Sequence, residues 1–212
     1  MDLLPIGLGA TTRIGCHVQP APPPDEGSRL TAYSPTMSWR EIVRSWGTTA
    51  EERRLRFPCD RVLPNYNEAY YRGVTVLAKP ATVFPWLCQL RVAPYSYDWI
   101  DNFGRRSPRA LTRELQNLER GQRFMSIFAL VDFEPQVHIT LQLRKSGFSP
   151  PLALSYWLDR TRETECRLLV KLVLQLRPGL RDGVVRRLGP ALDWIMMRRQ
   201  LLNLKALAEG AG

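Results

Sequence analysis

The chain has few of the residues that build metal centres or disulfide frameworks. Its four cysteines (Cys16, Cys59, Cys88 and Cys166) are far apart and form no CxxC pair, and only His17 and His138 accompany them. Neither a zinc site nor a disulfide scaffold is expected from that set, and Cys88 and Cys166 read as inert core thiols. A run of about 20 apolar residues is missing, which excludes a membrane-spanning helix. The stretch from Met1 to Gly15 has no basic cluster and no long apolar centre, so it does not read as a signal peptide. The expected location is the cytoplasm. Lysine is scarce too: the 30 basic residues are 26 Arg and 4 Lys. The net charge of +10 and the pI near 9.9 raise the question of nucleic acid. The arginines are spread, however, with doublets at Arg53-Arg54, Arg105-Arg106, Arg186-Arg187 and Arg198-Arg199. No zinc finger, aromatic RNA-binding strand or recognition helix goes with them, so specific nucleic-acid binding is not expected. Nor is there a GxSxG, a P-loop or a GxGxxG between strand and helix, which leaves hydrolase, nucleotidase and dinucleotide readings without support. No cofactor and no metal is expected.

What is present suffices for one core. Of 212 residues 44% are hydrophobic, with six tryptophans among them, which suits one domain better than two. Residues 1–36 read as a disordered, proline-rich extension, because Gln19 to Ser28 holds four prolines and has little to bury. Met37 at its end is an alternative start of translation. Residues 37–72 read as short helices and a linker. Ser38 with Glu41 fits a capping box, and a second helix is expected from Thr49, with Glu51 and Glu52 in its first turn.

The compact domain is expected over 73–208. Val74, Val76 and Ala78 share one face of a first strand. Pro80 opens a helix that turns Val83, Leu87 and Leu90 inward, with Pro85 inside it as a kink. A turn of helix over 96–102 and a helical patch over 109–118 follow. Phe124 to Phe133 is apolar on both parities, as one buried strand or two short ones. Val137, Ile139, Leu141 and Leu143, then Leu152, Leu154, Tyr156 and Leu158, then Leu168, Val170, Leu172, Leu174 and Leu176 alternate with mostly polar neighbours. Such period-two runs imply an antiparallel sheet with one buried face. A long helix from Asp182 to Ala208 closes the chain. At about 100° per residue, Val184, Val185, Leu188, Ala191, Leu192, Ile195, Met196 and Leu202 fall on one face. That face is expected to meet the sheet, leaving Trp194, Met197, Leu201 and Leu204 as a smaller second patch. Strand, helices, a meander of strands and a long helix give an α+β fold in which a curved sheet wraps the final helix.

Four segments then resemble one family. Lys79-Pro80-Ala81-Thr82-Val83-Phe84-Pro85-Trp86-Leu87 resembles the "APAxxVWPWL" opening of bacterial START-like (SRPBCC) proteins. Tyr95-Ser96-Tyr97-Asp98-Trp99-Ile100-Asp101-Asn102 is similar to their "YSYDWLDN". Leu118-Glu119-Arg120-Gly121-Gln122 resembles "LxVGD", and Met196-Met197-Arg198-Arg199-Gln200-Leu201-Leu202 resembles "MxRRML". The resemblance covers about residues 73–208. It implies a helix-grip fold with a cavity between sheet and C-terminal helix. Relatives of that family include polyketide cyclases and dehydratases, lipid-transfer proteins and hormone-binding proteins, so the fold alone does not fix an activity.

With such a cavity, the candidate ligand-binding residues are Trp86, Tyr95, Tyr97, Trp99, Phe128, Tyr156, Met196 and Arg199. Arg199 falls between Ile195, Met196 and Leu202, near the middle of the face expected to look into the sheet. A guanidinium buried there needs a carboxylate, carbonyls or an anionic ligand. It reads as a ligand anchor or as a structural ion pair with Asp98 or Asp101. Tyr95, Tyr97 and Trp99 either line a cavity mouth or staple the segment to the core. The weak catalytic candidates are Tyr97, Asp98, Asp101 and His138. The two acids share a helix face and suit acid–base work or plain capping, while His138 lies on the polar parity of its strand as a base or as an exposed side chain.

The leading expectation is therefore binding of a hydrophobic small molecule such as a lipid, polyketide or aromatic metabolite. A cyclase- or dehydratase-like enzyme is the alternative. A third reading is a non-catalytic interaction module, in which the patch at Trp194, Met197, Leu201 and Leu204 meets a partner or makes a homodimer. The basic charge adds weak contact with anionic membranes.

Overall fold

The computed structural model describes residues 38–97, 99, 104, 106–144, 149–160 and 162–210. All of them lie in one compact unit, Met37–Gly212. The expected extension over 1–36 and the acids Asp98 and Asp101 lie outside the described residues. The described helices are α1 (Trp39–Ser45), α2 (Ala50–Arg54), α3 (Cys59–Val62), α4 (Pro80–Cys88) and α5 (Leu180–Glu209). The strands are β1 (Glu68–Val76), β2 (Arg123–Phe124), β3 (Phe128–Glu134), β4 (His138–Leu143), β5 (Leu152–Arg160) and β6 (Cys166–Leu174). They form one antiparallel sheet in the order β1-β6-β5-β4-β3-β2. With the 30-residue α5 packed on it, this is the helix-grip α+β fold that the START-like resemblance implies. None of the described helices is long and apolar enough to cross a membrane.

The alternation read along the strands is what builds the core. Val76 of β1, Leu168 and Val170 of β6, Leu154, Tyr156 and Leu158 of β5, and Ile139 and Leu141 of β4 all point to the inner face and are buried. Val83, Leu87 and Leu90 come down on them from α4 and the turn after it, as the sequence expects, and each has no exposed surface. Each such side chain contributes roughly 1.5–3 kcal/mol on burial. The doubly apolar run over 124–133 resolves into two strands. Phe124 pairs with Phe128, and Met125 and Ser126 make the turn with φ of 43° and 63°.

The phase of α5 differs from the sequence expectation. Met197, Leu201, Leu204 and Ala208 face the sheet and are buried, so they are core and not a free patch. Val184, Leu188, Leu192 and Ile195 are exposed. The reading over 182–208 took the longer apolar stripe as the inner one, whereas the sheet takes the shorter one at Met197, Leu201 and Leu204. Arg199 is accordingly exposed, and its neighbour Gln200 takes the inner place. There Tyr156 Oη donates to Gln200 Oε1 (2.6 Å), and Gln200 Nε2 donates to Pro94 O (2.5 Å).

The buried guanidinium is that of Arg72, on the inner parity of β1, with 1% of its surface exposed. Its Nη2 donates to Val43 O of α1 (2.8 Å) and to Asp193 Oδ2 of α5 (2.5 Å), and its Nη1 donates to Tyr71 O (2.7 Å). Burial pushes Arg72 down and Asp193 up, and each charge opposes the shift of the other.

The other sheet face is covered as well. Phe57, Cys59 and Leu63 pack on Ala153, Leu169, Val173 and Trp157, and Cys59 N donates to Ser155 Oγ (2.8 Å). Two smaller expectations change. Ser38 caps α1 without a side-chain hydrogen bond, and the capping box is at Thr49 and Glu52. The patch over 109–118 makes only a 3-10 turn, Arg113–Gln116, with no buried residue to hold a longer helix.

Two outcomes follow from this packing. Replacing Arg72 by methionine strands Asp193, and urea denaturation of the full chain should show a loss of about 3–5 kcal/mol. Burial lifts Cys88 to about 12 and Cys59 and Cys166 to about 11. A Cys16→Ser chain should therefore show no fast-reacting thiol toward Ellman's reagent until denaturant releases three.

Candidate functional site

Two inner residues of α5 hold the aromatic segment that follows α4. Gln200 takes the Pro94 carbonyl, and Asn203 Nδ2 donates to Tyr95 O (2.8 Å). Tyr95 itself turns the chain with φ of 56°. Its ring is buried edge-on to Trp86, 6.4 Å between centroids, and its hydroxyl donates to Pro108 O (2.8 Å). Gln89 Nε2 fixes the far end of the excursion at Ala110 O (2.7 Å). A cleft of about 530 Å³ opens between this segment and the C-terminal half of α5. Tyr95, Tyr97 and Trp99 line one side, Arg199, Asn203 and Leu207 the other, and Pro108 and Arg109 close an end.

The structure thus brings four of the predicted site residues together: Tyr95, Tyr97, Trp99 and Arg199. It brings them to an outer cleft beside α5 and not into a chamber between sheet and helix. Trp86 and Tyr156 are buried in the core, Phe128 packs at its edge, and Met196 is half-buried; none of these four lines the cleft. The space expected to hold ligand is filled at this point by the Tyr156–Gln200–Pro94 chain. Among the described lining residues there are two guanidiniums, Arg199 and Arg109, and no carboxylate. A hydroxyl, flat rings and positive charge make a surface for an apolar body with an anionic end.

His138 is not exposed, as its parity suggested, because α3 covers that face of the sheet. Its Nε2 lies 3.5 Å from Asp132 Oδ2. Burial would raise the Asp132 carboxyl, but the Arg120 hydrogen bond and the neighbouring His138 hold it below its ordinary range. His138 and the cleft at Tyr97 are on opposite sides of the sheet, so the two do not act on one substrate.

A second charged cluster sits on that outer face, and the sequence reading passed over it. Lys171 of β6 is buried, with its Nζ 2.6 Å from Asp60 Oδ1 and 3.1 Å from Tyr66 Oη. The rings of Tyr66, Tyr71 and Phe57 stand 5.0, 5.3 and 5.8 Å from the ammonium. Burial alone would lower Lys171, yet hydrogen bonds to Asp60 and Tyr66 outweigh it and hold the lysine above its ordinary value. It is a protonated structural ion at neutral pH and no nucleophile. The signal was there: Lys171 is the charged residue between Leu169 and Val173, both apolar on the outer parity.

No family model and no curated protein matches the chain. Solved structures with a similar path include a protein of Thermobifida fusca determined by NMR, 13% identical over 65% of this chain and 90% of that one, with a TM-score of 0.48. A START superfamily protein from Mycobacterium smegmatis is 12% identical over 68% of this chain and 99% of that one, with a TM-score of 0.44. The Zhui aromatase/cyclase from Streptomyces sp. R1128 is 15% identical over 67% of this chain and 93% of that one, also with a TM-score of 0.44. Likeness at this level transfers neither ligand nor reaction.

Breaking the outer cluster should be costly. Lys171→Ala leaves Asp60 partly buried and unpaired, and chemical denaturation should show a loss of about 2–4 kcal/mol, discounted for the partial exposure of the acid. The double replacement Lys171→Met with Asp60→Leu should recover most of it; equal losses in the single and the double variant would contradict the ion-pair account.

Proposed function

We propose that the protein binds a small amphipathic molecule, with an apolar or aromatic body and an anionic end, in the cleft between the Tyr95–Arg109 segment and α5. The observation that carries this reading is the joint placement of Tyr97, Trp99 and Arg199 on one cleft of about 530 Å³, a size that suits a lipid, polyketide or aromatic metabolite. Rings on one wall take the apolar body, at roughly 25 cal/mol per Å² of surface removed from water. Arg199 and Arg109 take the anion. A guanidinium offers only donors, in a fixed fork that matches a carboxylate or phosphate. Tyr97 is the weak catalytic candidate that the described residues place on this cleft.

Titration calorimetry with laurate and naphthoate, each against its neutral alcohol, tests the reading. At least one acid should bind saturably. Arg199→Ala should weaken the acid about 3–10-fold and leave the alcohol unchanged, as expected for a solvent-facing charge-assisted hydrogen bond. Trp99→Ala should weaken acid and alcohol alike. Absence of binding by all four compounds, or binding indifferent to both substitutions, would remove this cleft as the site.

A further inference from the structure

The first half of α5 presents large apolar side chains to solvent. Leu180, Val184, Leu188, Leu192 and Ile195 are 89%, 50%, 54%, 62% and 44% exposed. At about 100° per residue, their spacing of four, four, four and three keeps them within an arc of about 120°. They form a continuous ridge about 22 Å long. Soluble surfaces carry such residues singly; a contiguous row marks an interaction face.

The charge around the ridge has one sign. Arg181 and Arg199 lie within the same arc, and Arg187 and Arg198 along its edge, all exposed. Arg198 stacks on Trp46, and no carboxylate pairs with any of these four among the described residues. The nearby acids of α5 are engaged elsewhere. Asp182 accepts from Arg177 N, and Asp193 is held by Arg72. Beside the ridge Trp39 stands 59% exposed, edge-on to Trp194 at 5.3 Å.

We propose that this face of α5 docks the protein on an anionic lipid bilayer. The leucines, Val184 and Ile195 enter the boundary between headgroups and acyl chains, the arginines meet lipid phosphates, and Trp39 sits at headgroup level. The net charge of +10 draws the chain toward such a surface. A second copy of the chain fits the same face poorly. A two-fold contact would bring two copies of the same arginine-edged face together, and like charges brought together oppose association. The ridge shares Arg199 with the ligand cleft, but the docking face rests on Leu180 to Ile195, none of which lines that cleft.

The test is sedimentation of the full chain with vesicles of phosphatidylcholine containing about 30% phosphatidylserine, against phosphatidylcholine alone. Binding should be at least about tenfold tighter to the anionic vesicles and should fall steeply as salt is raised. The tryptophan emission should shift to the blue on binding, and Trp39→Phe should remove much of that shift. Leu188→Glu with Leu192→Glu should weaken binding at least about tenfold. Both positions are exposed, so the thermal midpoint should be unchanged. Failure to bind either vesicle would overturn the proposal, as would binding that ignores the glutamate pair in a folded protein. A dimer that the glutamate pair converts to monomer, with no vesicle binding, would assign the ridge to a second copy instead.

Discussion

The guanidinium of Arg72 fixes how the long helix lies on the sheet. A charge with 1% of its surface exposed has no solvent to fall back on, so its hydrogen bonds must come from the fold itself. It takes them from α1 through Val43, from its own strand through Tyr71, and from α5 through Asp193. Turning α5 while it stays packed would leave two opposite charges buried without a partner. That pins the rotation of α5 about its axis. With Asp193 turned toward β1, Gln200 and Asn203, about two and three turns further on, face the chain at Pro94 and Tyr95. Their amides then hold the aromatic segment whose far side makes the cleft. The geometry of the candidate site is thus inherited, through one helix, from an ion pair beneath the first strand.

Much of this was legible in the residue order. The strands announced themselves by alternation, because antiparallel pairing with one face on a core demands it, and Ile139, Tyr156 and Leu168 are where parity put them. The helix was harder. It carries two apolar stripes: Val184, Leu188, Leu192 and Ile195 face solvent, while Met197, Leu201, Leu204 and Ala208 meet the core. Periodicity finds both stripes but does not say which of them the sheet takes. Arg199 was misplaced for the same reason, and Arg72 was missed although it lies two residues before Val74 on the inner parity.

The outer face of the sheet posed a different problem. Alternating strands normally leave one side to water, and the segment before β1, rich in arginine and proline, gave little hint that it would cover that side. The hint was in the outward parity itself: Ala153, Leu169 and Val173 are apolar where solvent would favour polar residues. Once Phe57 and Leu63 seal that face, Lys171 can no longer reach water, and Asp60 and Tyr66 become a requirement of burial. A buried, paired lysine in a cleft can look like catalytic machinery. Here the raised affinity for its proton and the full set of local partners argue for a structural ion that fastens the N-terminal helices to the sheet.

The same contrast separates anchoring from chemistry at the outer cleft. Proton transfer asks for a group whose two protonation states are both within reach near neutral pH. Of the candidates named for such work, Tyr97 lines the cleft and His138 lies across the sheet beside Asp132. What the described lining of the cleft offers is fixed positive charge set against flat apolar surface. Such a surface would suit the anionic amphiphile proposed above. Arg199 also belongs to the arc of the exposed ridge, one turn beyond Ile195. A single side chain therefore stands where the solvent-facing edge of the helix meets the mouth of the cleft.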